Sequence, residues 1–313
     1  MKFRHKLIYM LLLSVLSLGL LSSCKDKGKD GTGYTFTDAL GREVTVASHE
    51  RVAALLGSFA DMWVLSGGEI CASTDDAFED FGLPLGEDTV ILGGTKSLSL
   101  EALLSADPDF VLASSNSTQH LEWEEALEGA GITVAYFDVL DFEDYLYMLK
   151  ICTDITGEED RYTQYGTGQQ EEISEILGRC GGREAQTVLV MRASGSSIRA
   201  KNSQGTMLGT MLQDFGCKNI ADSDRTLLEN LSLESIALQN PDKIFFVQTG
   251  DDMDEVKANA EAFMKDNPLW YELDAVKNGE VYFMEKRLYN MKPNALFSDA
   301  YKKLEEILYG QGQ

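Results

Sequence analysis

The apolar and polar positions divide the chain into blocks of different character. A basic start (MKFRHK) leads into residues 7–20, an apolar run of about 14 residues that ends in small residues. That pattern predicts a secretory leader over 1–23, because the run is short for a membrane span. Residues 25–33 (KDKGKDGTG) contain no apolar side chain, and 24–34 reads as a flexible tether. From 34 to 46 apolar and polar residues alternate around a turn at 39–41, which predicts a β-hairpin. Short apolar runs at 51–56, 90–92, 110–113 and 133–137 predict buried strands. Helical spacing at 59–65, 100–105 and 122–129 separates them, so the fold class is α/β with a parallel-rich sheet.

Residues 141–180 break this rhythm. Tyr145, Met148, Leu149, Cys152 and Ile155, then Ile173, Ile176 and Leu177, fall at helical offsets, and Gly157 interrupts them. A helical connector of two pieces is expected. Strands return at 187–191, 243–247 and 281–284, and an amphipathic helix at 295–308 follows.

The chain also repeats itself. Residues 98–112 (LSLEALLSADPDFVL) and 231–245 (LSLESIALQNPDKIF) share six of fifteen positions at a shift of 133. The period is too long for a solenoid. It implies two related lobes, 35–140 and 181–313, joined by the connector. In each copy a serine (Ser99, Ser232) is placed to cap a helix, and a glutamate (Glu101, Glu234) follows in its first turn, where the helix dipole favours an acid.

Charge narrows the partners. The chain has 27 basic and 51 acidic residues, net −24, and removal of Lys2, Arg4 and Lys6 with the leader makes the remainder −27. Such a surface repels nucleic acid. Two mature histidines, His49 and His120, are too few for a receptor of bare zinc or manganese. Cys71, Cys152, Cys180 and Cys217 show no C-x-x-C spacing, and three pairings stay open. The sequence has no G-x-S-x-G, H-E-x-x-H or P-loop.

Residues 21–24 (LSSC) resemble a bacterial lipobox, which implies cleavage before Cys24 and acylation of that residue. The stretches TDALGREVTV, RVAALLGSFADMWVLSGG, both LSLE…PD copies, GTMLGTMLQDFGCKNIAD and WYELDAVKNGEVYFM occur in this order behind it. Together they resemble the bacterial ABC-transporter solute-binding proteins for ferric siderophores, haem or cobalamin, over residues 35–310. The resemblance implies two Rossmann-like lobes joined by a long inter-lobe helix, with the ligand in the cleft between them. It implies an exported, lipid-anchored protein with no enzymatic activity and no cofactor. Its partners would be a permease dimer with ATPase subunits, engaged through Glu101 and Glu234, and a ferric siderophore, with haem or cobalamin as alternatives. The chain is expected to act as a monomer. A chelatase-like enzyme and a purely structural surface lipoprotein are the rival readings from other classes.

Ligands of parallel sheets lie beyond the strands' carboxyl ends. The N-lobe candidates there are Ser58, Lys96 and Asn116. The C-lobe candidates are Arg192, Arg199 and Lys201 in a loop over 192–206, and Arg287 and Tyr289 in a second cationic loop with Lys286 and Lys292. This gathering of cations in an acidic chain suits an anionic chelate or haem propionates. His120, Tyr289 and Met291 are candidate haem-iron ligands.

Overall fold

The computed structural model describes residues 33–310, so the leader, Cys24 and most of the tether lie outside the described residues. The strands are β1 Tyr34–Thr37, β2 Glu43–Val46, β3 Val52–Ala54, β4 Ile70–Ser73, β5 Val90–Ile91, β6 Phe110–Ser114, β7 Thr133–Phe137, β8 Thr187–Ala193, β9 Ile198–Lys201, β10 Lys218–Asn219, β11 Lys243–Gln248 and β12 Val281–Met284.

β1 and β2 form the expected antiparallel hairpin. Its turn needs Gly41 at φ +77°. The Asp38 carboxylate holds the turn by accepting from the Leu40 and Arg42 backbone N–H groups, each at 3.0 Å. Arg42 then lies over the Tyr136 ring at 4.8 Å and donates to the Val134 carbonyl. The hairpin therefore covers the free edge of β7.

Each lobe is built on its own sheet. The first is β5-β4-β3-β6-β7, parallel throughout. The second is β10-β8-β11-β12, parallel, with β9 antiparallel on β8. Strand periodicity sends alternate side chains to opposite faces. Val52, Ala54, Phe110, Leu112 and Phe137 join Val188, Val190, Phe245 and Val247 in one core. Ala53, Val111, Ala113 and Tyr136 face a second core, and Leu189, Met191, Ile244 and Phe246 a third. Burial of both faces is why these strands read as continuous apolar runs.

The shared core runs through the connector. Asp141 caps the helix Phe142–Thr156 by accepting from the Asp144 N–H, and Gly157 ends it at φ +77°. A short helix Glu159–Tyr162, a π-turn Thr163–Thr167 and the helix Gly168–Cys180 follow. The two expected pieces are thus present, separated at Gly157, and the second carries a bulge at Gly166. A Cβ on Gly166 would stand 3.2 Å from Leu146 and Tyr162. Phe142 and Tyr145 pack on Phe297 with ring centroids 5.0 and 5.2 Å apart, which seats the helix Phe297–Tyr309 on the connector.

Residues 192–206 depart from the sequence expectation. They are not an open loop, because Ile198 and Ala200 turn inward and β9 pairs with β8. The helix expected over 122–129 is two short helices, Thr118–Glu122 and Glu124–Gly129. Among the described residues Cys71, Cys152, Cys180 and Cys217 are free thiols, the last three of them buried.

Candidate functional site

The segment after β12 crosses to the N-lobe and brings the carboxyl ends of the two sheets together. The Asn294 amide donates to the Ser58 carbonyl and to Asp61, both at 2.8 Å. Lys286 pairs with Asp80 of the N-lobe at 2.8 Å and with Asp251 of its own lobe at 2.7 Å. Arg287 lies 4.2 Å over the Phe81 ring and 3.6 Å from Asp61, and it donates to the Lys292 and Pro293 carbonyls. These two cations therefore clasp the lobes.

Burial works to lower the Lys286 pKa, but its bonds to Asp251 and Asp80 raise it overall. A raised lysine pKa means that the clasp stabilises the fold at neutral pH. That contribution is lost as pH climbs through the folded-state value. Lys286→Met is expected to lower the melting temperature by about 2–4 °C at pH 7, for a half-buried pair worth about 1 kcal/mol. The difference should shrink above about pH 10.5. Thermal melts of both proteins from pH 7 to 11 measure this, and a gap that does not close would show that Lys286 acts through packing alone.

The other cations are arranged differently. Arg192 on β8 stands opposite Arg199 on β9, and Lys201 stands opposite Val190. The alternation puts all three on the face that carries Val188 and Val190, which belongs to the inter-lobe core. Arg192 and Lys201 are half-buried and Arg199 is exposed. Among the described residues none of the three has an ion-pair partner. Burial lowers the pKa of Arg192, and burial with the charges of Arg192 and Arg199 lowers that of Lys201. Three like charges without a counterion, Arg192 and Lys201 among them partly desolvated, are unfavourable in the empty protein. An anion relieves both penalties, and guanidinium groups bind delocalised anions through paired N–H donors.

The remaining candidates are scattered. Lys96 is exposed. The exposed Asn116 donates its amide to Asp138 at the end of β7. Ser58 is buried in the first turn of the helix Gly57–Leu65, where its carbonyl is taken by Asn294. Tyr289 requires a correction. It is buried, and its hydroxyl donates to the Ala300 carbonyl, so it belongs to the packing of the C-terminal helix and not to the cleft. Lys292 is half-buried 5.7 Å from the Phe59 ring centroid. Burial lowers its pKa against the attraction of Asp138, Asp76 and Asp144.

Two of the three candidate iron ligands, His120 and Tyr289, are buried inside the fold. His120 is fully buried, its Nδ1 accepts the Ser114 N–H at 3.0 Å, and burial pulls its pKa down to about 4. Met291 is half-buried. Among the described residues no group of three or more His, Cys, Asp or Glu is placed to hold a metal ion.

Glu101 and Glu234 are exposed in their first turns, behind Ser99 and Ser232, whose hydroxyls accept from the Ala102 and Ser235 N–H groups. Asp61, Asp80, Asp251 and Asn294 carry no signal in the local sequence pattern. Asn294 and Asp61 lie 233 positions apart, so no local pattern joins them. No described helix is long and apolar enough to cross a membrane.

Comparison with known proteins adds the following. A family model described as periplasmic binding protein matches residues 72–288, more than half of the chain. A Bacillus subtilis (strain 168) protein named as a substrate-binding lipoprotein of an ABC transporter, YhfQ, is 22% identical over 95% of this chain and 97% of its own length. The siderophore-binding protein BauB, solved with two acinetobactin molecules and ferric iron, aligns with a TM-score of 0.70 at 18% identity, over 89% of this chain and 99% of BauB. Staphylococcus aureus IsdE, solved with haem, aligns with a TM-score of 0.66 at 18% identity, over 83% of this chain and 98% of IsdE.

Proposed function

The chain belongs to the periplasmic binding protein family, and from that premise we propose that it is the substrate-binding component of an ABC importer whose cargo is an anionic ferric chelate. The observation that carries the reading is the face of Arg192, Arg199 and Lys201, three cations without ion-pair partners on one side of the β8–β9 pair. Their number and spacing suit a ligand with several negative charges. A siderophore fits better than haem. Haem in such a cleft draws an axial ligand from the protein, and of the three candidates His120 and Tyr289 are buried, which leaves only the half-buried Met291. A chelator that fills the coordination sphere of iron needs no protein ligand. The cobalamin alternative lacks the charge that this face calls for.

The iron is cargo here and no bond is made or broken. The protein holds the chelate between its lobes, and the clasp of Lys286 and Arg287 keeps the lobes near one another. Docking on the permease would use Glu101 and Glu234. Both stand at the starts of helices that lead into parallel strands, and helix starts of this kind lie on the side of the strands' carboxyl ends, which supports the docking reading. Acylation of Cys24 would tether the complex to the membrane. The test is uptake of ⁵⁵Fe from a panel of chelates by cells with and without the gene. Loss of uptake from one anionic chelate, restored by the wild-type chain, supports the reading, and unchanged uptake across the panel rejects it.

A further inference from the structure

Leu238 is 87% exposed, far more than the other large apolar residues described. Its position in the fold is specific. In the helix Leu233–Gln239, Ile236 is fully buried. Glu234 and Leu238 each lie two residues from Ile236, which puts both on the opposite, outward side. They are separated by four residues, one turn, and so are neighbours on the helix surface. The Pro268–Glu272 turn beside this helix adds Tyr271 at 53% and Leu269 at 39% exposure. Asn240, just past the helix, bonds through both its amide atoms to Asp274, two residues beyond that turn.

The internal duplication sharpens the point. The shift of 133 that pairs Glu101 with Glu234 pairs Ser105 with Leu238. In the N-lobe helix Leu100–Ser105, Leu103 is the buried residue, and Ser105 occupies the equivalent outward place. The same position is thus polar in one lobe and large and apolar in the other. Leu238 adds almost no buried surface to the fold, so packing does not account for it.

We propose that Leu238 is an apolar anchor for the permease subunit that receives the C-lobe, inserting beside the cation that Glu234 engages. This rests on the docking reading above and extends it, since Leu238 continues the surface on which Glu234 stands. The occupant is the exported face of a membrane permease, with a basic group next to an apolar pocket. The anchor also breaks the pseudo-twofold symmetry of the docking surface, so the binding protein would seat in one of two orientations.

Photocrosslinking in the native envelope tests this on the full chain without knowledge of the ligand. A benzophenone amino acid is placed at position 238, at position 105 as a reporter of docking, or at position 147 on the connector as an exposed control (Tyr147, 54% exposed). We expect adducts to a multi-span permease subunit, identified by mass spectrometry, from 238 and 105 but not from 147. Burying one leucine strengthens an interface by about one to two orders of magnitude. Leu238→Asp should therefore cut the adduct at 105 by at least about tenfold. Adducts from 105 but not 238, or an adduct at 105 unmoved by Leu238→Asp, would overturn the anchor and leave the docking reading standing. No permease adduct from either position would overturn both. Adducts from 238 to lipid or to a second copy of the chain would also overturn the anchor.

Discussion

Arg192→Ala combined with Arg199→Ala is expected to weaken binding of an anionic ferric chelate by at least about a hundredfold while leaving the empty protein as stable as before. Hydrogen bonds to charged groups contribute roughly 1.5–3 kcal/mol each, and two such losses exceed two orders of magnitude in affinity. The stability side follows from the unpaired arrangement. Arg192 is partly desolvated with no carboxylate to answer it, and it depresses the pKa of Lys201. Its removal relieves Lys201, so the melting temperature of the empty protein should hold or rise. A binding site commonly holds such a penalty in its unliganded state. Calorimetric titration together with thermal melts of the double variant checks both halves. A fall in melting temperature of several degrees with affinity intact would assign the pair a structural role instead.

The second large effect concerns transport. Glu101→Lys together with Glu234→Lys should reduce uptake to background, roughly a hundredfold or more, with ligand affinity unchanged. Reversal places like charges against the permease, which costs several kcal/mol per contact. The cost to the fold is smaller, about 0.3–1 kcal/mol at each helix start, because Ser99 and Ser232 still provide the caps. Glu→Gln at both positions separates the two contributions, since it removes attraction without adding repulsion and should leave partial uptake. Uptake measured beside calorimetry on the same variants decides the matter. Normal uptake by the reversed protein would remove these acids from docking.

Much of this was legible in local pattern. The strands β3, β6, β7, β8 and β11 are buried on both faces and announce themselves as apolar runs. The helical offsets of the connector follow from its place inside the shared core. The duplicated Ser-Leu-Glu was visible because each copy must cap the same helix. What escaped was set by tertiary contacts. β9 hides behind Gly195 and two arginines, and only its pairing with β8 turns Arg199 and Lys201 to the same face as Arg192. Lys286 and Arg287 looked like members of the same anion site. The structure gives them instead to Asp80, Asp251 and Asp61, two of which lie in the other lobe. Tyr289 read as a ligand-binding member of the second cationic loop, yet its hydroxyl is held by the C-terminal helix. The division of the cations into paired clasp and unpaired wall is therefore a result of the fold, and it is what points to a ligand.

The sign of the ligand's charge is the point on which the account turns. The direct measurement is calorimetry of the purified chain, freed of its leader, against two coordinatively saturated ferric chelates of opposite charge. One is a trianionic tris-catecholate, and the other is a tris-hydroxamate that carries a free ammonium group. Saturable binding of the trianion that weakens as salt is raised, and no binding of the cation, is the expected result. Equal or preferred binding of the cationic chelate, or binding of the trianion unaffected by salt, would contradict it.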